Sequence, residues 1–195
     1  MSFRLHAFAA IAALGLLLPG AALAADNEFT PQLTDLAKGQ LRQIAENPVL
    51  IDAIRAQNAV TSGYDQARID ALDTQWRAEV DAADKPLINA TLNTDASKFL
   101  DGELEKSAGL ITEIFATDAR GLNAAQATMT SDYWQGDEDK FSKSFGVGAD
   151  AIFIGDIEQD ESTQTYQSQV SITVTDPATG APIGSITAGI DVGKL

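Results

Sequence analysis

The chain has 195 residues, 45% of them hydrophobic and 21% charged, which is typical of one globular domain rather than a disordered or fibrous chain. Its 28 acidic residues outnumber 13 basic ones and give a net charge of −15. Nucleic acid is therefore excluded as a partner and an anionic membrane surface is disfavoured, because both bind through cations.

The first 24 residues have the pattern of a cleaved secretory signal peptide. Arg4 forms the positive flank, residues 5–18 form the apolar stretch, and Ala22-Leu23-Ala24 forms a cleavage site of small residues. A retained membrane anchor is the alternative, but it needs about 20 apolar residues, and Pro19-Gly20 ends this stretch earlier. We therefore expect a periplasmic protein with no membrane span after cleavage.

The predicted mature chain, residues 25–195, has no histidine and no cysteine, since His6 is the only histidine of the whole sequence. Without these residues it cannot build a Ser-His-Asp triad, a thiolate nucleophile or an ordinary zinc site. We expect no enzyme activity, no catalytic residues, no metal and no cofactor. Residues 155–162, GDIEQDES, alternate carboxylates like the start of a calcium loop, but the pattern favours a solvated strand end.

From residue 28 to about residue 108 the apolar spacing is helical. Helix starts are predicted at Thr30 and Asn47, which each precede a proline, and at Asp65. A further helix is predicted from Asp95. Trp76 lies on the apolar stripe of the helix that starts at Asp65, so it is predicted to be a core residue.

After Gly109 the pattern changes to that of strands. Two strands are predicted to meet at a tight turn from Asp118 to Gly121, and a short amphipathic segment, EDKFSKSFG, follows further on. Three more strands are predicted at 149–157, 164–176 and 181–192, the last two joined by a hairpin turn at DPATG. This order predicts a single α+β domain, with long N-terminal helices packed on an antiparallel sheet of about five strands.

Three segments together resemble the Cache family of extracytoplasmic sensor domains, whose sheet is PAS-like. They are IFATDARGLNAAQA, TSDYWQGDE and the closing VSITVTDPATGAPIGSITAGIDV. The resemblance spans roughly residues 30–193. It implies a pocket on one face of the sheet for a small molecule such as an organic acid or an amino acid.

By this resemblance, the loop after the second strand caps the pocket and supplies the ligand-binding residues. Tyr133 and Trp134 would form aromatic walls, Asp132 would bind a ligand amine, and Arg120 would pair with a ligand carboxylate. Asp191, late in the last strand, matches roughly the place of an acidic residue in amino-acid-binding relatives. Alternatively, Tyr133 and Trp134 cover the core, Asp132 caps the next helix and Arg120 is a solvated turn residue.

Members of the family are usually the outer half of a chemoreceptor, sensor kinase or cyclase, whereas this sequence ends at Leu195 without a signalling domain. We therefore expect an exported, stand-alone sensor that signals through a separate membrane receptor or sensor kinase. The alternative function is a non-enzymatic interaction or scaffold domain that has lost ligand binding. The crowding of polar and aromatic residues into TSDYWQGDE favours a pocket over a bare scaffold.

The signal-peptide pattern predicts that the mature protein begins at Ala25 or Asp26 and lies in the periplasm. N-terminal sequencing of the periplasmic fraction measures this directly. A membrane-bound species that still carries Met1 would contradict the prediction.

Overall fold

The computed structural model describes residues 27–159 and 165–195. The predicted signal peptide and part of the acidic run 155–162 lie outside these ranges. Within them, no helix is long and apolar enough to cross a membrane.

The N-terminal half is helical, as the sequence predicts. The first helix, α1 (Thr30–Leu36), continues through a π-helical turn (Ala37–Leu41) into α2 (Arg42–Ala45). The remaining helices of this half are α3 (Pro48–Thr61), α4 (Gln66–Val80), α5 (Pro86–Leu92) and α6 (Asp95–Lys106).

Side-chain caps fix where α3, α4 and α6 begin. The Asn47 side chain accepts a hydrogen bond from the amide of Val49 before α3, and Asp65 accepts one from Arg68 before α4. Both predicted starts are confirmed, because a capping oxygen satisfies an amide that has no partner within the helix. The helix predicted from Asp95 is confirmed as well.

The sequence pattern missed α5, whose position depends on a buried carboxylate. Glu79, near the end of α4, accepts hydrogen bonds from the amides of Leu87 and Ile88 at 2.8 and 3.0 Å. Burial acts to raise the pKa of Glu79, but hydrogen bonds from Gln75 and from these two amides outweigh it and lower the pKa. The first turn of α5 is therefore attached to α4.

The second half forms one antiparallel sheet. Its strands are β1 (Ile111–Asp118), β2 (Asn123–Gln126), β3 (Ile152–Gln159), β4 (Tyr166–Thr175) and β5 (Pro182–Asp191). Their order in the sheet is β2-β1-β5-β4-β3. The predicted α+β architecture is confirmed, and this order is consistent with a PAS-like sheet. A short helix, α7 (Asp139–Ser142), lies between β2 and β3.

One face of the sheet packs on the N-terminal helices and is apolar. Ile114 and Ala116 of β1 lie opposite Ala188 and Ile186 of β5, and all four are buried. Leu33, Leu41, Leu50, Ile54 and Leu100 cover them from the helices. Burial of this apolar surface is the main source of the domain's stability.

A smaller apolar cluster forms around Trp76, which is fully buried as predicted. It contains Ile69 and Leu72 from the same helix, Ile88 from α5, and Tyr133. The Trp76 indole Nε1 donates a hydrogen bond to the Thr130 carbonyl at 2.9 Å. This second core holds α4, α5 and the 130–134 segment together.

The predicted turn after β1 is confirmed and is organised by a fully buried carboxylate, that of Asp118. The amides of Arg120 and Leu122 donate to one of its oxygens, at 2.8 and 3.0 Å. Gln57 and Thr61 of α3 donate to the other, at 3.1 and 2.7 Å. Asp118 therefore attaches α3 to the β1–β2 turn.

Replacement of Asp118 by Ala leaves these buried donors without an acceptor, and we expect a loss of about 3 kcal/mol or more in the free energy of unfolding. Denaturant melts measure the loss. The matched control is Asp101→Ala on the exposed face of α6, which should change stability by no more than about 0.5 kcal/mol. Equal stabilities of the two variants would show that Asp118 does not hold the turn.

Candidate functional site

The second face of the sheet is buried but polar. Thr117, Ser171, Thr173, Ser185 and Thr187 point to this face, and each is at most 2% exposed. Hydroxyls on neighbouring strands bond to each other: Thr117 lies 2.8 Å from Ser185, and Ser171 lies 2.8 Å from Thr187. A buried hydroxyl needs such a partner, so these pairs offset the cost of burial.

The segment between β2 and β3, residues 127–151, covers this polar face. Thr173 donates a hydrogen bond to the Gly148 carbonyl at 2.6 Å, which anchors the end of the segment. The rings of Phe141 and Phe145, which lie four residues apart in the predicted amphipathic segment EDKFSKSFG, stack with centroids 5.0 Å apart. The segment includes α7, and its Lys140 side chain is only 12% exposed.

Lys140 is placed above the polar face. Its ammonium lies 5.4 Å from the centroid of the buried Phe115 ring and 2.9 Å from a carboxylate oxygen of Glu138. A lysine ammonium is strongly hydrated in water, so it is held in such a place only by groups that replace its water. The aromatic face and one carboxylate supply part of that replacement.

A cleft of about 260 Å³ opens beside Lys140, between α7 and strands β3 and β4. The residues around it are mostly polar, and they are Glu138, Asp139, Lys140, Phe153, Gly155, Asp156, Glu158, Gln167 and Gln169. At the far side of the cleft Gln169 donates to Glu113 at 2.8 Å. Four carboxylates and one ammonium therefore surround the space.

Three buried amide atoms of β2 and of the covering segment have no hydrogen-bond partner within the described residues. They are Asn123 Oδ1, Gln126 Nε2 and Gln135 Oε1. Gln126 lies directly opposite Phe115 in the sheet, so it belongs to the same polar face. Unsatisfied buried amides mark a place where water or a ligand completes the bonding.

The structure places Tyr133 and Trp134 against α4. The Tyr133 ring stacks on Trp76, with centroids 5.1 Å apart and planes inclined by 18°. Asp73 of α4 accepts hydrogen bonds from the amides of both residues, at 2.8 and 3.1 Å. The indole of Trp134 donates to the Arg120 carbonyl at 2.9 Å. Tyr133 also lines a separate cavity on this side of the domain.

Two glycines make this compact loop feasible. Gly121 has φ +80°, and a Cβ there would lie 2.7 Å from the backbone of Gly136. A Cβ on Gly136 would in turn overlap the Trp134 indole. The loop TSDYWQGDE is therefore folded onto the β1–β2 turn.

Asp132 and Arg120 are engaged by protein groups. Asp132 accepts from Arg77 at 3.2 Å and from Gln135 at 2.8 Å. The Arg120 guanidinium donates to the Tyr64 carbonyl. With Tyr133 and Trp134, these residues form one neighbourhood around the β1–β2 turn, and their role in ligand binding stays a prediction.

Asp191 lies apart from the other four. It follows Ile190, which pairs with Ile111 at the start of β1, whereas Arg120 follows the end of that strand. The rise of about 3.4 Å per residue separates the two ends by about 20 Å. Asp191 accepts a hydrogen bond from the Gly193 amide at 3.0 Å and borders a separate cleft with Leu104. Its binding role also stays a prediction.

The sequence interpretation did not select Lys140 or the hydroxyl face. A signal for the face was present, since serine and threonine alternate with β-branched apolar residues in VSITVT of β4 and recur in GSIT of β5. No local signal marked Lys140, because its burial depends on the sheet beneath α7. The described residues contain no group of carboxylates that could hold a metal ion.

No family model and no curated protein matches the chain. Solved structures similar to it include the sensor domain of the V. cholerae histidine kinase DctB, at 13% identity and a TM-score of 0.39. The match covers 84% of this chain and 57% of that one. Another is the sensory domain of the Campylobacter jejuni chemoreceptor Tlp3 with isoleucine bound, at 16% identity and a TM-score of 0.39. This match covers 87% of this chain and 66% of that one.

The E. coli DcuS sensor domain is also similar, at 16% identity and a TM-score of 0.39, over 64% of this chain and 92% of that one. The chain is thus similar to sensor domains, as its sequence resemblance implies. It spans less than two thirds of the DctB and Tlp3 domains. Similarity of this degree specifies no ligand, site residue or partner for this chain.

The two tryptophans differ in burial, and this difference generates a prediction. Trp76 is fully buried, so Trp76→Ala should lower the free energy of unfolding by ~3 to 5 kcal/mol. Trp134 is half-buried, and its truncation removes less packing, so we expect a loss of at most ~2 kcal/mol. Denaturant melts of both variants make the comparison. A loss on Trp134→Ala as large as that on Trp76→Ala would show that Trp134 is part of the core.

Proposed function

We propose that the chain is an extracytoplasmic sensor module that binds a small zwitterion of the amino-acid class in the cleft beside Lys140. The observation that carries the proposal is the position of Lys140, whose side chain is 12% exposed, between a polar sheet face and the carboxylates that line the cleft. A module of this kind would bind its ligand without chemical change.

The charges around the cleft favour a ligand that carries both signs. Lys140 offers an ammonium for a carboxylate, which is the strong type of hydrogen bond between charged groups. Glu138, Asp139, Asp156 and Glu158 border the same space. Glu138 and Asp139 already pair with Lys140 and Lys143, at 2.9 and 2.7 Å, so Asp156 and Glu158 are the acceptors for a ligand amine. Gln167 and Gln169, whose side-chain amides bond to Thr112 and Glu113, line another part of the cleft.

The same charges disfavour a dicarboxylic acid. Its second carboxylate would have to lie near the four acidic side chains, and like charges at such distances repel. Among the described residues that line the cleft, Lys140 is the one cation, and Glu138 already lies 2.9 Å from it. Lys143, 5.6 Å from the ring centroid of the lining residue Phe153, is paired with Asp139. Among the small polar metabolites that the sequence resemblance implies, the cleft therefore favours an amino acid over an organic acid.

The location and the partner belong to the proposal as well. The signal-peptide pattern of residues 1–24 supports export. We propose that a membrane receptor or sensor kinase, as a separate protein, receives the signal. A domain that has lost ligand binding and acts only as a scaffold is the competing function, and the binding experiment distinguishes the two.

The experiment is isothermal titration of the protein with the protein amino acids and with succinate as the dicarboxylate control. We expect saturable binding of one or more amino acids and none of succinate. Lys140→Met removes the proposed partner of the ligand carboxylate and should weaken that binding by about 30-fold or more. Loss of one partner of a desolvated charge pair costs at least ~2 kcal/mol. The matched control is Lys98→Met, an exposed lysine of α6, which should leave the affinity unchanged.

A thermal melt of each variant shows whether it is folded before titration. Bound ligand at 100 times its Kd should stabilise the unmodified protein by about 2.7 kcal/mol. Binding of succinate in preference to every amino acid would overturn the assignment of the ligand class. The absence of binding by any of these compounds would favour the scaffold function.

A further inference from the structure

A second cavity lies on the opposite side of the sheet, where the two apolar cores meet. It has a volume of about 440 Å³, within the range of about 300 to 1,000 Å³ that is typical of small-molecule sites. Ala53 and Ala124 border it from the large core, and Tyr64, Leu87 and Tyr133 border it from the smaller one. The two cores thus leave a space between α3 and α5.

Small side chains create this space. Ala53 and Ala56 face the cavity from α3, and Ala124 closes it from β2. Val60, one further turn along α3, is 64% exposed at the rim, which leaves an apolar residue in contact with solvent. The cavity is therefore open at the side formed by the end of α3.

Every side chain that lines the cavity is uncharged, although 21% of the chain's residues are charged. The buried Asp118 carboxylate, which contacts the lining residues Gln57 and Thr61, already accepts four hydrogen bonds from these two side chains and two backbone amides. A charged ligand would lose its water here without gaining an opposite charge, which is strongly unfavourable. The lining therefore selects a neutral molecule.

Tyr133 brings a hydroxyl to the cavity lining, in addition to the polar side chains of Gln57, Thr61, Tyr64 and Thr94. The side chain is 7% exposed, and its ring is fixed by stacking on Trp76. Burial raises the pKa of Tyr133, so the hydroxyl remains protonated at neutral pH and is available as a donor. A ligand acceptor that reaches this largely buried hydroxyl would receive a hydrogen bond that is shielded from most of the solvent.

We propose that this cavity is a second binding site, for a small neutral molecule with an apolar body and one hydrogen-bond acceptor that faces the Tyr133 hydroxyl. Aromatic ketones and related neutral carbonyl compounds have this chemistry. The site is independent of the Lys140 cleft, since the two share no lining residue. It also gives the sequence-predicted Tyr133 a ligand-binding role of its own.

The test uses acetophenone as the neutral probe, with benzoate and ethylbenzene as probes of similar size. Amide resonances in ¹H–¹⁵N spectra report where each probe binds. We expect acetophenone to shift residues 53–61, 87 and 124, ethylbenzene to bind more weakly, and benzoate not to bind there. Acetophenone should cause no shift at the Lys140 cleft.

Two variants separate the contributions of the hydroxyl and of the space. Tyr133→Phe removes only the hydroxyl and should weaken acetophenone binding by about fivefold to tenfold without loss of stability. The matched control is Tyr166→Phe, a tyrosine of β4 that is 58% exposed, which should change nothing. Ala53→Leu should fill the cavity and abolish binding of both acetophenone and ethylbenzene.

The proposal is overturned if acetophenone does not bind at millimolar concentration. It is also overturned if the Ala53→Leu and Tyr133→Phe variants bind acetophenone as well as the unmodified protein does. Preferential binding of benzoate would also overturn it. Lys140→Met should leave acetophenone binding unchanged, so failure of this site and failure of the proposed function give different results.

Discussion

Both faces of the five-stranded sheet are buried, but only one of them is apolar, and the rest of the structure depends on this asymmetry. The apolar face is stabilised by the helices packed on it, in the usual way for an α+β domain. The other face has buried hydroxyls, which are costly unless each one is bonded. The pairs between β1, β5 and β4 meet this requirement within the sheet.

A polar face restricts what covers it. An apolar helix laid over those hydroxyls would gain little, and the covering segment is instead largely irregular, with the mostly buried Lys140 as its cation over this face. The same property makes the space useful for recognition, because directed polar groups orient a small ligand better than an apolar wall does. The asymmetry of the sheet therefore relates the fold to the proposed function.

Features governed by local chemistry were predicted well from the sequence. Asn47 and Asp65 mark helix starts because a capping side chain acts within three residues, and the turn from Asp118 to Gly121 follows from short-range geometry. The strands were predicted from the alternation of apolar and polar residues along the sequence. By contrast, α5 was missed because its position depends on Glu79, which lies in the preceding helix.

The candidate site was less predictable, for the same physical reason. The aromatic residues of TSDYWQGDE were predicted as site residues because residue type alone identifies large side chains. The environment of Lys140, by contrast, forms only when α7 packs on the sheet. Tyr133 illustrates the ambiguity, since one side of its ring packs in a core and the residue also borders a cavity. A wall of a pocket and a member of a core have the same sequence signature.

The most direct test of the account is to locate the bound amino acid by ¹H–¹⁵N spectra of the protein titrated with an amino-acid mixture. The account predicts shifts confined to residues 138–141, 153–158 and 167–169, around the Lys140 cleft. Shifts confined to the neighbourhood of Trp134 and Arg120, with none around Lys140, would contradict it.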